Sequence, residues 1–204
     1  IPVQFAAQFG IGLVFYGENS GYEYGSREEQ KTLDANNDVL NMVEKIQAEK
    51  EIWNRNGITD LEIASILPPP NWQQNILIQY MSYYKPWSSV TNHAIAKRYG
   101  FRDLTGEWDR KGTIENFEQI DSVAYMQHLW MKYPKYGFQR VSDIACRRVR
   151  EGLMSKAEAA REIYDKDPVL DPWARKDCID FCGYSEQQYW DNVQKHWNPE
   201  VPKW

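Results

Sequence analysis

The apolar positions change period along the chain. Ile11-Gly12-Leu13-Val14-Phe15-Tyr16 is a continuous apolar run closed by Gly17-Glu18-Asn19. Such a run predicts a buried strand of the parallel kind. Residues 22–36 are polar and without period, which predicts a loop or flap, and Val39, Leu40, Val43 and Ile46 then share one face of a helix. Thr59-Asp60-Leu61-Glu62 has the capping-box pattern, opening a short helix that Pro68 stops. Ile76 to Tyr84 is rich in β-formers and predicts a second buried strand, running into Lys85-Pro86-Trp87. Beyond it the spacing turns helical. One helix is predicted from Ser89 to Tyr99 with Gly100 as its stop, and a long one from Ile114 to Lys132 buries Phe117, Ile120, Tyr125, Leu129 and Met131. Ser155-Lys156-Ala157-Glu158 and Ser185-Glu186-Gln187-Gln188 open two more helices as capping boxes. Two strands followed by helices make an α/β chain with a mainly helical second part, divided at about 1–87 and 88–204.

Composition narrows the class. With 42% hydrophobic and 26% charged residues the chain is ordinary for a globular cytoplasmic protein, and no apolar run is long enough for membrane insertion. The net charge of -5 argues against a nucleic-acid partner. The opening Ile1-Pro2-Val3 has neither an initiator Met nor a signal-peptide pattern and reads as part of something longer. Cys146, Cys178 and Cys182 form no even disulfide set, and Cys178 and Cys182 fall on adjacent turns of one helix, so they read as buried thiols. A zinc site would need two further ligands, and His93, His128 and His196 are scattered.

Candidate chemistry sits in four places. Residues just past a strand's carboxyl end line the crevice of an open α/β sheet, which singles out Gly17, Glu18 and Asn19, although Gly and Asn also make plain turns. Lys111, Gly112 and Thr113 precede the predicted long helix, where free backbone amides beside Lys and Thr suit a phosphate; Lys-Gly-Thr is equally common in turns. Glu118 and Asp121 would share a helix face and could hold a metal ion, or simply complement the helix dipole. Lys132, Lys135 and Arg140 bracket an aromatic turn, with Arg147, Arg148 and Arg150 close behind. That local cation density points to an anionic ligand or to a solvated basic face paired with Asp143 and Glu151.

Several segments carry a family resemblance. Tyr16-Gly17-Glu18-Asn19, the Tyr83-Tyr84 to Pro86-Trp87 turn, Lys111-Gly112-Thr113 with Glu115 to Asp121, Lys135-Tyr136-Gly137-Phe138-Gln139-Arg140 and Val149 to Ala159 occur in the order seen in N-acetyl sugar amidotransferases of the ATP-pyrophosphatase (PP-loop) kind. The chain resembles the C-terminal portion of that family from about residue 11 to residue 190. The resemblance implies a partial Rossmann-like sheet, of the adenine nucleotide alpha hydrolase type, over 1–87, and a helical substrate- or partner-binding region over 88–204. It implies an ATP-dependent ligase of lipopolysaccharide or glycan-sugar biosynthesis that turns an N-acetyl group of an acidic or nucleotide-linked sugar into an acetamidino group, with ammonia from a glutaminase partner. ATP and Mg2+ are the implied cofactors. Lys135 and Arg140 would hold pyrophosphate or a sugar carboxylate, Lys111, Gly112 and Thr113 would approach phosphates, Gly17, Glu18 and Asn19 would line the crevice, and Asp121 would ligate magnesium.

The chain also departs from that family. The Ser-Gly-Gly-x-Asp-Ser nucleotide loop and the N-terminal cysteines are absent from these residues, so this piece alone is not expected to hydrolyse ATP. Lys156 and Ser155 stand where the family has Arg and Thr, which keeps the charge and the hydroxyl but loses the guanidinium fork. A helical docking module gripping the glutaminase is the alternative expectation.

Overall fold

The computed structural model describes residues 1–17 and 35–203, so Glu18 and Asn19 lie outside the described residues. The chain is α/β and mostly helical, with a single two-stranded parallel sheet among the described residues, and it divides into two compact units, Ile1–Trp87 and Ser88–Trp204.

In the first unit, α1 (Pro2–Phe9) starts on Pro2, whose missing N–H costs nothing at a helix start, and ends at Gly10, whose φ of 66° a glycine takes without strain. The strand β1 (Leu13–Tyr16) pairs in parallel with β2 (Leu77–Tyr80), Leu13 opposite Leu77 and Tyr16 opposite Tyr80. Val14, Tyr16, Ile78 and Tyr80 pack into a core with Val3, Ala6, Trp72 and Ile76, closed by Val39, Leu40 and Val43 of α2 (Asn36–Ala48). The predicted apolar face of α2 is therefore the face that covers the sheet. Two short helices, α3 (Lys50–Arg55) and α4 (Asp60–Ile66), follow, and α4 carries the expected Thr59–Glu62 capping box.

Both strands differ from expectation. They are shorter, and β1 is not buried on both faces: Leu13, Phe15 and Leu77 are exposed because no layer covers that side among the described residues. After Tyr80 the chain winds into one helical turn, α5 (Met81–Tyr84), which brings the Tyr84 hydroxyl back onto Oε1 of Gln79 and the Tyr84 ring edge-on to Phe15. That local return ends the strand four residues early.

The second unit is helical: α6 (Ser89–Arg98), α7 (Ala124–Trp130), α8 (Lys132–Tyr136), α9 (Arg140–Arg150), α10 (Lys156–Lys166), α11 (Pro172–Cys182) and α12 (Glu186–Lys195). Its core joins Trp130 and Tyr133 to Tyr189, Val193, Trp197 and Val201. Trp130 donates from Nε1 to the carbonyl of Pro168 at 2.9 Å, and Tyr189 donates to Gln127 at 2.9 Å, so both buried aromatics satisfy their polar ends. The capping boxes at Ser155–Glu158 and Ser185–Gln188 form as expected.

The long helix expected from Ile114 to Lys132 begins only at Ala124. Residues 103–123 are irregular because two buried ions satisfy their backbone in place of helical bonds. Arg110 donates to the carbonyls of Glu115 (2.9 Å) and Glu118 (3.0 Å), while the Glu115 carboxylate accepts the amides of Phe117 (3.1 Å) and Glu118 (2.8 Å). Leu129 is buried as expected, but Tyr125 is exposed. The thiols are a second correction: Cys178 is half-buried and Cys146 and Cys182 are exposed, since α9 and α11 present those positions outward. Cys178 and Cys182 do lie one turn apart on α11 and hydrogen-bond each other. Among the described residues no helix is long and apolar enough to cross a membrane.

Candidate functional site

The strongest candidate site belongs to the second unit. The irregular segment from Leu104 to Asn116, with Lys166 and Val169, lines a half-open cavity of about 810 Å³. Its first residues are fixed by Asp103. This buried carboxylate accepts from the Thr105 hydroxyl, from Lys97 at 2.9 Å, from the amide of Thr105 at 3.0 Å and from His93 at 2.9 Å, contacts that hold it well below the usual carboxylate range. The His93 ring stacks on Phe117 at 4.0 Å.

Three long-range contacts seat the middle of the segment. The amide of Lys111 donates to Asp171 Oδ2 at 2.7 Å, while Asp171 Oδ1 caps α11 through the amides of Trp173 and Ala174. Gln139 Nε2 donates to the carbonyls of Gly112 (3.1 Å) and Lys166 (3.2 Å). Gly112 itself, at φ 66°, lies so close to Val169 that a Cβ would stand 2.1 Å from the Val169 carbonyl oxygen.

Part of the cavity wall is a charged core. Arg110 and Glu115 pair at 3.3 Å with side chains only 2% and 4% exposed. Burial pushes the Glu115 carboxyl up, against the pull of the two amides it accepts and of Arg110. Glu118 is the second hub: its Oε2 meets Nη2 of Arg140 and, at 3.4 Å, Nη2 of Arg147. Burial alone would raise Glu118, but Arg140 and Arg147 outweigh it and its carboxyl lies below the ordinary range. Arg148 donates to the carbonyl of Ile114 at 3.3 Å, so α9 grips the segment at three guanidinium groups.

The expected site residues separate in this arrangement. Gly17 is an exposed bend at the carboxyl end of β1 in the first unit. Lys111, Gly112 and Thr113 all line the cavity, with Lys111 paired to Asp109 and the Thr113 hydroxyl donating to the Glu115 carbonyl at 3.3 Å. No helix starts there, so their amides do not form a helix-end phosphate cradle; the Lys111 amide is taken by Asp171. Arg140 opens α9 and is committed to Glu118, though its Nε is buried without a hydrogen-bond partner among the described residues. Lys135 is exposed in the last turn of α8 and does not line the cavity. Asp121 is exposed, and Glu118 does not share a helix face with it; among the described residues no cluster of three or more His, Cys, Asp or Glu could hold a metal ion.

Sequence reasoning missed Trp108, Arg110, Glu115, Gln139 and Asp171. Only Asp171 carried a usable signal, since Asp followed by Pro172 is an N-cap before a proline at the first helical position. The others depend on partners more than twenty residues away or on burial that no local pattern reports.

Two comparisons with known proteins bear on this unit. Residues 111–203 match the family model of the C-terminal domain of WbpG-like LPS biosynthesis proteins. The match supports a role in LPS biosynthesis, and it begins at Lys111, on the cavity wall. No curated protein matches the chain.

Proposed function

From a role in LPS biosynthesis, we propose that this chain is part of an ATP-dependent amidotransferase that converts an N-acetyl group of a surface-polysaccharide sugar into an acetamidino group. In the overall reaction the amide oxygen is activated by ATP with loss of pyrophosphate, ammonia takes the carbon, and AMP leaves with the oxygen. A glutaminase subunit supplies the ammonia. The observation that carries this reading is that the segment similar to the LPS family opens on Lys111, Gly112 and Thr113, and all three line one cavity sized for a small molecule. The parallel strand pair of the first unit is read as part of a Rossmann-like nucleotide domain, with Gly17, just past the end of β1, at its crevice. Lys135 and Arg140, neither of which lines that cavity, are assigned to an anionic group of the substrate beyond it, Arg140 while it also holds Glu118. Asp121, the residue expected to ligate Mg2+, stands in no cluster of His, Cys, Asp or Glu among the described residues.

The test is an assay of the complete protein with ATP, an ammonium salt and nucleotide-linked N-acetyl sugars, read by mass spectrometry. An amidine product with one AMP and one pyrophosphate per turnover is expected; no amidine with free ammonia as donor would sink the reading. Lys135→Ala and Arg140→Ala should each lower turnover sharply, and near-normal turnover in both removes their assignment. A second reading, a docking module for the glutaminase, is favoured by the exposed Phe181 and Tyr184 rings at the end of α11. Capture of the glutaminase by this chain without any affinity for sugar or nucleotide would select it.

A further inference from the structure

The cavity of the second unit is lined by as many acids as bases: Arg110, Lys111 and Lys166 against Glu107, Asp109 and Glu115. Each cation is already paired, Arg110 with Glu115 at 3.3 Å, Lys111 with Asp109, and Lys166 with Glu162 at 2.7 Å. A polyphosphate entering here would meet no uncommitted cation and no net positive field, so electrostatics do not select it. The other lining groups suit an uncharged, hydroxyl-rich ring. Trp108 is half-buried on the wall and backed at 4.7 Å by Trp173. Its backbone is fixed by a turn in which the amides of Glu107 (2.9 Å) and Trp108 (3.1 Å) both donate to the Leu104 carbonyl. The carboxylate of the neighbouring Glu107 has no partner among the described residues. The Thr105 side chain braces the wall beside them, its hydroxyl oxygen accepting from Asn116 at 2.9 Å while its hydrogen goes to the Asp103 carboxylate.

Resting on the sugar-modifying reading above, we propose that Trp108 is the platform for the pyranose ring of the substrate and Glu107 the acceptor of its hydroxyls, so that this cavity holds the sugar and not the phosphates. The C–H bonds of one pyranose face carry partial positive charge and are attracted to the negative face of an indole, while a free carboxylate is the strongest acceptor available to a vicinal hydroxyl pair. The volume of about 810 Å³ is ample for one such ring with a substituent. Trp108 is then a positioning residue: it holds the sugar and does none of the chemistry.

The full chain is titrated with N-acetylglucosamine as a neutral probe, glucuronate as an acidic one and inorganic pyrophosphate as an anion without a ring, with tryptophan fluorescence and saturation-transfer NMR as readouts. Wild type should bind N-acetylglucosamine saturably and release none of it to pyrophosphate. Trp108→Ala should weaken sugar binding about tenfold, with Trp108→Phe, which keeps an aromatic face, recovering most of it. Glu107→Gln should weaken both sugars. Far-UV circular dichroism checks that each variant is folded. Sugar binding unchanged in Trp108→Ala, absent in wild type, or displaced by pyrophosphate overturns the proposal. The two readings fail separately. Sugar bound through Trp108 with no amidine formed by the complete enzyme removes the reaction and keeps the subsite; amidine formed with an unchanged KM for sugar in Trp108→Ala removes the subsite and keeps the reaction.

Discussion

Replacing Gly112 by alanine would place a methyl group 2.1 Å from the Val169 carbonyl oxygen and 3.2 Å from Gln139 Nε2. Both obstacles are firm, one being backbone and the other a side chain only 1% exposed that bridges the carbonyls of Gly112 and Lys166. Normal contact requires the two segments to part by more than about 1 Å. The magnitude has two separable parts. Alanine at φ 66° costs about 1 kcal/mol whatever surrounds it. Parting the segments breaks both Gln139 hydrogen bonds at about 1 kcal/mol each, giving roughly 3 kcal/mol in all. Gly152 is the internal control, since its φ is 74° but nothing lies within 4 Å of its added Cβ, so Gly152→Ala should cost only the backbone part, about 1 kcal/mol. Urea unfolding followed by tryptophan fluorescence reads the difference. With an m-value of about 2 kcal/mol/M the Gly112→Ala midpoint should fall about 1 M below that of Gly152→Ala. Equal midpoints would mean that the Gly112–Val169 seat, and with it the rigidity of the cavity wall, is not what the geometry implies.

Glu118→Gln leaves Arg140 and Arg147 facing a neutral amide and should cost about 2–3 kcal/mol, below the figure for a fully buried pair because Arg140 is partly exposed. The folded Glu118 carboxyl lies below its unfolded value of about 4.3, so its stabilisation is present at neutral pH and lost as pH falls through the folded value. Stability curves of wild type and Glu118→Gln should therefore converge below about pH 4, where the Glu118 charge and the push it gives Glu115 are both gone, and curves that stay parallel would refute the assignment. Trp130→Phe removes the bond to the Pro168 carbonyl and part of a side chain that is 1% exposed, at about 2–3 kcal/mol, and should lower the melting temperature of the second unit by about 8–12 °C; a change under a degree would show that the Trp130 seat is dispensable.

Capping is where local sequence sufficed. Thr59 with Glu62, Ser155 with Glu158 and Ser185 with Gln188 each start a helix where the four-residue pattern places it, because both partners of a capping box lie within one turn. The stripe of Val39, Leu40 and Val43 likewise named the face that α2 turns to the sheet, and the two apolar runs named the strands, though not their length. The cavity-lining trio Lys111, Gly112 and Thr113 was legible as a candidate, but for a helix start that does not exist.

What the sequence determined by itself, then, is the order of elements and the points where local hydrogen bonding starts or stops them. What only the tertiary structure decided is the site. Periodicity between 114 and 122 favours helix, yet the buried Arg110–Glu115 pair takes up the backbone of that stretch, and Glu118 is held by Arg140 and Arg147, which arrive from 22 and 29 residues away. A buried ion must satisfy its charge and its hydrogen bonds at once, a larger demand than helix propensity, and the residues that meet it are chosen by proximity in space.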